Sequence, residues 1–96
     1  MPIDVILEIL APPVVEGGNA TLHCLSKEKS SSQPSSNLPA DFYRNGSLFW
    51  SEATGEMTIY YVSKSDEGFY KCSITDLGES PESWMEVTGE ILMKKC

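Results

Sequence analysis

The sequence has few positive charges, and its charge is therefore strongly one-sided. Seven lysines and arginines stand against 14 aspartates and glutamates, and the formal net charge is -7. Nucleic acids and anionic membrane surfaces carry charge of the same sign, so neither is an expected partner. An acidic surface also keeps a small domain soluble without any ligand, and this simpler interpretation stays open.

Long apolar runs are absent as well. No stretch of about 20 apolar residues occurs, so no segment of the sequence is expected to span a membrane. Asp4 and Glu8 interrupt the first apolar stretch and no basic region precedes it, which argues against a signal peptide. We therefore expect an ectodomain fragment in which Met1 is a start residue added for expression, with the leader, further domains and membrane anchor lying outside this sequence.

Side chains suited to catalysis or metal binding are scarce. His23 is the single histidine, and one residue cannot supply the set of ligands that a zinc site needs. The acidic residues are spread over turns and outward strand positions, with no pair placed for acid–base catalysis. We expect neither an enzyme nor a cofactor, and we interpret His23 as a strand residue that faces solvent.

The most informative feature that is present is the turn motif Asp66-x-Gly68-x-Tyr70-x-Cys72, with Cys24 far upstream. Aspartate and glycine make a tight turn, and a tyrosine two residues before the cysteine ties that turn to its strand. The pattern predicts an all-β fold, an immunoglobulin-like antiparallel β-sandwich with one inter-sheet disulfide, Cys24–Cys72. The separation of 48 positions favours the short constant-like or intermediate set. A stable disulfide indicates an extracellular compartment.

The chain is long enough for one domain, which we place at residues 1–90, with residues 91–96 as a C-terminal tail or the start of an interdomain linker. Alternating apolar residues between turn signals predict short strands, and a serine-rich loop is expected from Ser26 to Asn37. The predicted strands are Val5 to Leu10, Ala20 to Cys24, Ala40 to Arg44, Ser47 to Ser51, Met57 to Val62, Phe69 to Ile74 and Trp84 to Thr88.

The core position beside the disulfide departs from the usual sandwich. A tryptophan of the third strand commonly packs there, and in this sequence the place falls to Phe42. Phenylalanine keeps a large apolar face but has less volume and no indole donor. We expect Leu22, Leu48 and Met57 to fill the remaining space.

Five segments match a known group of receptors more closely than the fold alone requires. Together they resemble the Fc receptor-like domains of fish leukocytes, among them the leukocyte immune-type receptors, over roughly residues 5–89. In that group the third strand also reads Asp-Phe-Tyr. The segments are EGGNATLHC (16–24), ADFYRNG (40–46), TGEMTI (54–59), VSKSDEG (62–68) and GESPESW (78–84).

This resemblance implies an extracellular domain of a type I plasma-membrane receptor. Members of the group bind immunoglobulin Fc, class I histocompatibility molecules or unknown ligands, and they signal through tyrosine motifs or adaptors that this sequence does not contain. We expect a non-catalytic protein-recognition module of a leukocyte immune receptor. The alternative is a structural spacer of a multi-domain receptor or adhesion protein, with ligand binding done by another domain.

Two surfaces are candidates for binding a protein ligand. The first is the sheet face of the third, sixth and seventh strands, where alternation points one set of side chains outward. The alternative for Trp84 is that the loop from Asp76 to Ser83, or a neighbouring domain, covers it. The outward set is Tyr43, Phe69, Lys71, Trp84 and Glu86.

The second candidate surface is a loop end, and it rests on similarity to Fc receptors. In those proteins the loop after the second strand, the return strand of the third-strand hairpin and the last hairpin loop contact the antibody, whose proline is clamped by tryptophans. The serine-rich loop is alternatively a solvated connector. The matching positions are Lys27, Lys29, Trp50, Asp76, Leu77, Gly78, Glu79 and Pro81.

Three residues are candidates for covalent modification. Asn19 and Asn45 begin sequons and are candidate glycosylation sites, although Asn45-Gly46 is also a strong hairpin signal. Cys96 is left over once Cys24 and Cys72 pair. It is a candidate for an interchain bridge that forms a dimer, for a free thiol, or for an artefact of the fragment boundary.

Overall fold

The computed structural model describes residues 3–10, 12–28, 34 and 38–89. Strands with short turns account for most of them, and the one helical element is a single 3₁₀ turn, η1 (Lys64–Asp66). The strands are β1 (Ile3–Leu10), β2 (Val14–Val15), β3 (Ala20–Glu28), β4 (Ala40–Arg44), β5 (Ser47–Glu52), β6 (Glu56–Ile59), β7 (Gly68–Ile74), β8 (Gly78–Glu79), β9 (Ser83–Met85) and β10 (Val87–Thr88).

Most of these strands form two packed sheets, while β2 and β10 pair in a small third one, and the predicted all-β immunoglobulin-like sandwich is confirmed. The first sheet has the order β1-β3-β6, and the second has the order β5-β4-β7-β8, with β9 also pairing with β7. The predicted disulfide is present: Cys24 of β3 and Cys72 of β7 join the two sheets with their Cα atoms 6.0 Å apart. Both cysteines are fully buried, so the bridge crosses the centre of the core.

Phe42 occupies the predicted place beside the bridge. It is fully buried, and in the ladder between β4 and β7 it lies opposite Cys72. Leu22 and Met57 are buried in the same cluster, as expected. The apolar inner faces of both sheets therefore meet around a phenylalanine and a disulfide. The buried core consists of Val5, Leu7, Val14, Ala20, Leu22, Cys24, Ala40, Phe42, Met57, Val62, Tyr70, Cys72, Ile74, Met85 and Val87.

The expectation that Leu48 joins this core is wrong. The β4–β5 ladder shifts register, pairing Phe42 with Trp50 but Tyr43 with Leu48, so Phe49 is an extra residue on β5. Leu48 lies before this bulge and opposite Tyr43, whose side chain points outward, so Leu48 points outward and Phe49 points inward. The Phe49 ring consequently packs edge-on against Tyr70 at a centroid distance of 5.6 Å, while Leu48 is 57% exposed.

Several strand bounds also differ from the sequence expectation. The strand β3 continues to Glu28, so Lys27 pairs opposite Asp4 in a ladder and does not belong to the serine-rich loop. The predicted last strand is interrupted at Glu86 and becomes β9 and β10. The short strand β2, which the sequence did not reveal, runs parallel to β10.

The turn motif forms a tyrosine corner. The Tyr70 hydroxyl donates a hydrogen bond to the backbone carbonyl of Asp66, and burial raises the pKa of this hydroxyl. The Asp66 carboxylate accepts from the Arg44 guanidinium at 3.1 Å and from the Ser63 amide at 2.8 Å. The loop before β7 is therefore fixed to both β4 and β7.

The same loop also holds β10. The Lys64 ammonium donates to the carbonyl of Val87 at 2.7 Å, and the Val87 amide donates to the Glu67 carboxylate at 3.0 Å. This amide lowers the pKa of Glu67, because a hydrogen bond to the charged form stabilises it. Side chains thus supplement the short β2–β10 ladder.

Tyr61 adopts a backbone conformation that a bulky residue rarely adopts. Its φ angle is +53°, and its side chain is 85% exposed. Glycine occupies this region without steric cost, whereas a side chain pays about 1–2 kcal/mol.

We therefore expect Tyr61→Gly to raise the free energy of unfolding by about 0.5–1 kcal/mol, after the greater entropy of the unfolded glycine chain is counted. Urea denaturation monitored by fluorescence measures this change. Tyr60→Gly is the matched control, because Tyr60 is exposed and lacks a positive φ. Tyr60→Gly should lower the free energy of unfolding by about 0.5–1 kcal/mol. If both variants changed this free energy in the same direction, the interpretation of Tyr61 would be contradicted.

Candidate protein-binding surface

The second sheet presents one of its faces to solvent, and we call this face, built on β4, β5, β7 and β9, the outer face. Along β7, Tyr70 and Cys72 are buried, whereas Phe69 and Lys71, which alternate with them, point away from the core. This alternation follows from the pleat of a strand. The side chains that define the outer face are Tyr43, Leu48, Phe69, Lys71 and Trp84.

An aromatic pair forms one end of the outer face. Phe69 and Trp84 are opposite each other in the β7–β9 ladder, and their rings meet edge to face with centroids 4.9 Å apart. The two side chains remain 47% and 53% exposed. The loop between β7 and β9 therefore does not cover Trp84, and two large rings on a rigid sheet are available for contact.

A mixed row crosses the strands beside the aromatic pair. Lys71 lies opposite Tyr43, which in turn lies opposite Leu48. The Lys71 ammonium is 3.0 Å from the Glu79 carboxylate and 5.6 Å from the centre of the Tyr43 ring. Its hydrogen bond with Glu79 raises the pKa of Lys71. The cation is thus paired, and the outer face is apolar and near neutral at its centre.

Leu48 is the member of the outer face that the sequence did not predict. The two-residue turn at Asn45-Gly46 pairs Arg44 with Ser47 and Tyr43 with Leu48, so Leu48 faces outward with Tyr43, and the bulge at Phe49 lies beyond it. Apolar content alone does not distinguish the two positions, because Leu48 and Phe49 are neighbours of similar character. A sequence signal for the bulge is not evident.

The residues of the predicted loop end are not gathered into one surface. Leu77 packs against the core, and Asp76 sits in a turn with φ +70°. The segment from Leu77 to Pro81 lines a cleft with the start of β1, away from Trp50 on the opposite edge strand β5. Within the segment from Leu77 to Pro81, Glu79 contacts the outer face through Lys71. Lys29 lies outside the described residues.

The candidate modification sites differ in their surroundings. Asn19 is exposed in the turn before β3. Asn45 is also exposed, but its carboxamide oxygen accepts from the Phe69 amide at 3.1 Å, and its side chain rests on Gly68. A Cβ atom at Gly68 would lie 2.8 Å from that oxygen, so a larger residue there would displace the Asn45 side chain. Asn45 therefore has a structural role. Cys96 and the rest of the tail lie outside the described residues.

Within the described ranges, no cluster of three histidine, cysteine or acidic side chains is arranged to hold a metal ion. No helix in that part of the chain is long and apolar enough to cross a membrane.

Comparison with solved structures places the chain among immunoglobulin domains. It is similar to the second Ig-C2 domain of human Fc-receptor like A, with a TM-score of 0.68, 22% identity and coverage of 90% of this chain and 98% of that one. It is also similar to the structure of the four N-terminal Ig domains of Dscam1 isoform 1.9, with a TM-score of 0.59 and 23% identity. That match covers 92% of this chain and 21% of the Dscam1 chain. These likenesses show the fold. No family model and no curated protein matches the sequence.

Proposed function

We propose that this domain is a non-catalytic protein-recognition module of a leukocyte cell-surface receptor and that the outer face contacts its ligand. The exposed Phe69–Trp84 pair carries the proposal. Aromatic side chains contribute a large share of the energy in protein interfaces, and a pair fixed on paired strands loses little conformational freedom on binding. The neutral row of Lys71, Tyr43 and Leu48 extends this contact area.

The ligand that we propose is immunoglobulin Fc or a class I histocompatibility molecule. The resemblance of five sequence segments to fish leukocyte receptors supports this choice. The disulfide through the core supports an extracellular setting, and we propose a type I parent receptor.

A clamp made by two tryptophans is not available on this domain. Trp50 lies on the edge strand β5, whereas Trp84 lies on β9 beyond β7. The Trp50 indole instead donates to the Glu52 carboxylate at 3.0 Å. If an antibody proline is bound, we propose that Phe69 and Trp84 hold it, since their rings are adjacent.

Surface plasmon resonance with immobilised Fc and class I molecules tests this proposal. We expect binding by the isolated domain, and we expect Trp84→Ala to weaken it at least about tenfold, because a central aromatic anchor is lost. Tyr60→Ala is the matched control for an exposed aromatic residue away from the outer face. Absence of binding to both ligands would reject the ligand classes.

The spacer alternative makes a different prediction for the whole ectodomain. In that case a neighbouring domain covers Phe69 and Trp84, and Trp84→Ala leaves ligand affinity unchanged while lowering the stability of the ectodomain. Measuring both quantities on the same variant separates the two functions.

A further inference from the structure

The sheets of this domain have several free edges, and most of them are protected against pairing with another chain. The strand β1 carries the exposed acids Asp4 and Glu8 and is followed by the exposed pair Pro12-Pro13. The edge strands β6 and β8 have four and two residues. Charge, proline and short length are the usual means by which proteins prevent strands from adding to an edge.

The strand β5 lacks these protections. It is six residues long, and among the described residues it pairs with β4 alone, so its other side presents backbone donors and acceptors that no described strand engages. Leu48 and Trp50 are at least half exposed on it, and Phe49 is partly buried. Glu52 is its single charged residue, and lysine and proline are absent. The bulge at Phe49 is the one feature that opposes pairing.

We propose that β5 pairs antiparallel with β5 of a second copy of this chain, forming a weak homodimer with a continuous sheet. The strand itself is suited to a second copy as the occupant, because antiparallel self-pairing brings no like charges together. The chain as a whole has a net charge of -7 and repels itself, but the segment 45–55 contains only Glu52. Antiparallel pairing places the two Glu52 side chains at opposite ends of the joint ladder, near the uncharged Ser47 of the partner strand.

The expected affinity is low. Six paired residues bury less surface than the roughly 1,200–2,000 Å² of a stable complex, so we expect a dissociation constant on the order of 0.1–1 mM. Because the two copies repel each other through the rest of their surface, salt should strengthen association by screening that repulsion.

Sedimentation equilibrium of the unglycosylated full chain tests the proposal. The Cys96→Ser background removes any interchain disulfide, and concentrations up to about 1 mM cover the expected range. Leu48→Lys and Trp50→Lys should each weaken dimerisation at least about tenfold, since a charge on an edge strand opposes pairing. Tyr60→Lys, which adds the same charge at an exposed aromatic position off the sheets, should change it less than about twofold.

Hydrogen exchange of the unmutated strand gives an independent readout. The backbone amides of β5 should become protected as the concentration rises, while the amides at the free edge of β1 should not. A monomer at about 1 mM would overturn the proposal. So would a dimer whose protection falls elsewhere, or one that Phe69→Lys disrupts and Trp50→Lys does not, because that dimer uses the outer face.

Discussion

Replacing Cys24 and Cys72 together by alanine is expected to lower the free energy of unfolding by about 2–5 kcal/mol. The bridge joins residues 48 positions apart, and closing a loop of that length restricts the unfolded chain by about 4 kcal/mol. Both sulfurs also lie at the centre of the core, where alanine leaves unfilled space. For a domain of 96 residues this loss is a large part of its stability.

Urea denaturation of the variant and the parent measures the loss of unfolding free energy, provided that both show the same dependence of this free energy on urea concentration. Cys96→Ser is the matched control, since it removes a thiol without touching the bridge, and we expect it to leave stability unchanged. A loss below about 1 kcal/mol for the double variant would show that the sheets hold together without the covalent link.

The second large effect is expected at Phe42. Phe42→Ala should cost about 3–5 kcal/mol, because the ring is fully buried opposite Cys72 and its removal leaves a cavity between the sheets. Phe69→Ala is the matched control: the same side chain is removed from an exposed position, so less burial is lost and the cost should be about 1 kcal/mol or less.

Phe42→Trp tests whether the core around the Phe42 side chain is fully packed. An indole is larger than a phenyl ring and brings an N–H group that needs a partner, so we expect a loss of about 1–3 kcal/mol even though tryptophan is common at this place in the fold. An increase in stability would reveal unfilled space beside the disulfide and would contradict the packing described above.

The fold was largely predictable because its signals are local. The Asp66 turn, the tyrosine two residues before Cys72 and the alternation along β7 each depend on neighbouring residues and on the period of a strand. The parallel pair of β2 and β10 was not predictable in this way, since it joins two-residue segments far apart in sequence. The length of β3 also depends on its partner, because Lys27 is held in a strand by the ladder with β1.

The candidate binding surface was likewise predictable from the sequence only in part. Alternation correctly placed Tyr43, Phe69, Lys71 and Trp84 on one side of the sheet, but their role in binding remains a prediction. Leu48 was assigned to the wrong side, although the two-residue turn at Asn45-Gly46 already pairs it with the outward Tyr43. The bulge beyond it, which pairs Trp50 with Phe42, has no mark in the sequence. The loop-end set rested on correspondence with other receptors, and the structure directs the segment 77–81 toward β1.

The parallel pairing of β2 with β10 has a mechanical consequence. When the two ends of the chain are pulled apart, these strands are drawn past each other along their length, so their bonds resist together and do not open one at a time. The Glu16 amide bond to the Thr88 carbonyl, at 2.9 Å, and the Thr88 hydroxyl bond to the Val14 carbonyl, at 3.1 Å, share that load. The β2–β10 ladder therefore resists a pulling force applied to the chain ends, and the force needed to unfold the domain should depend on this ladder.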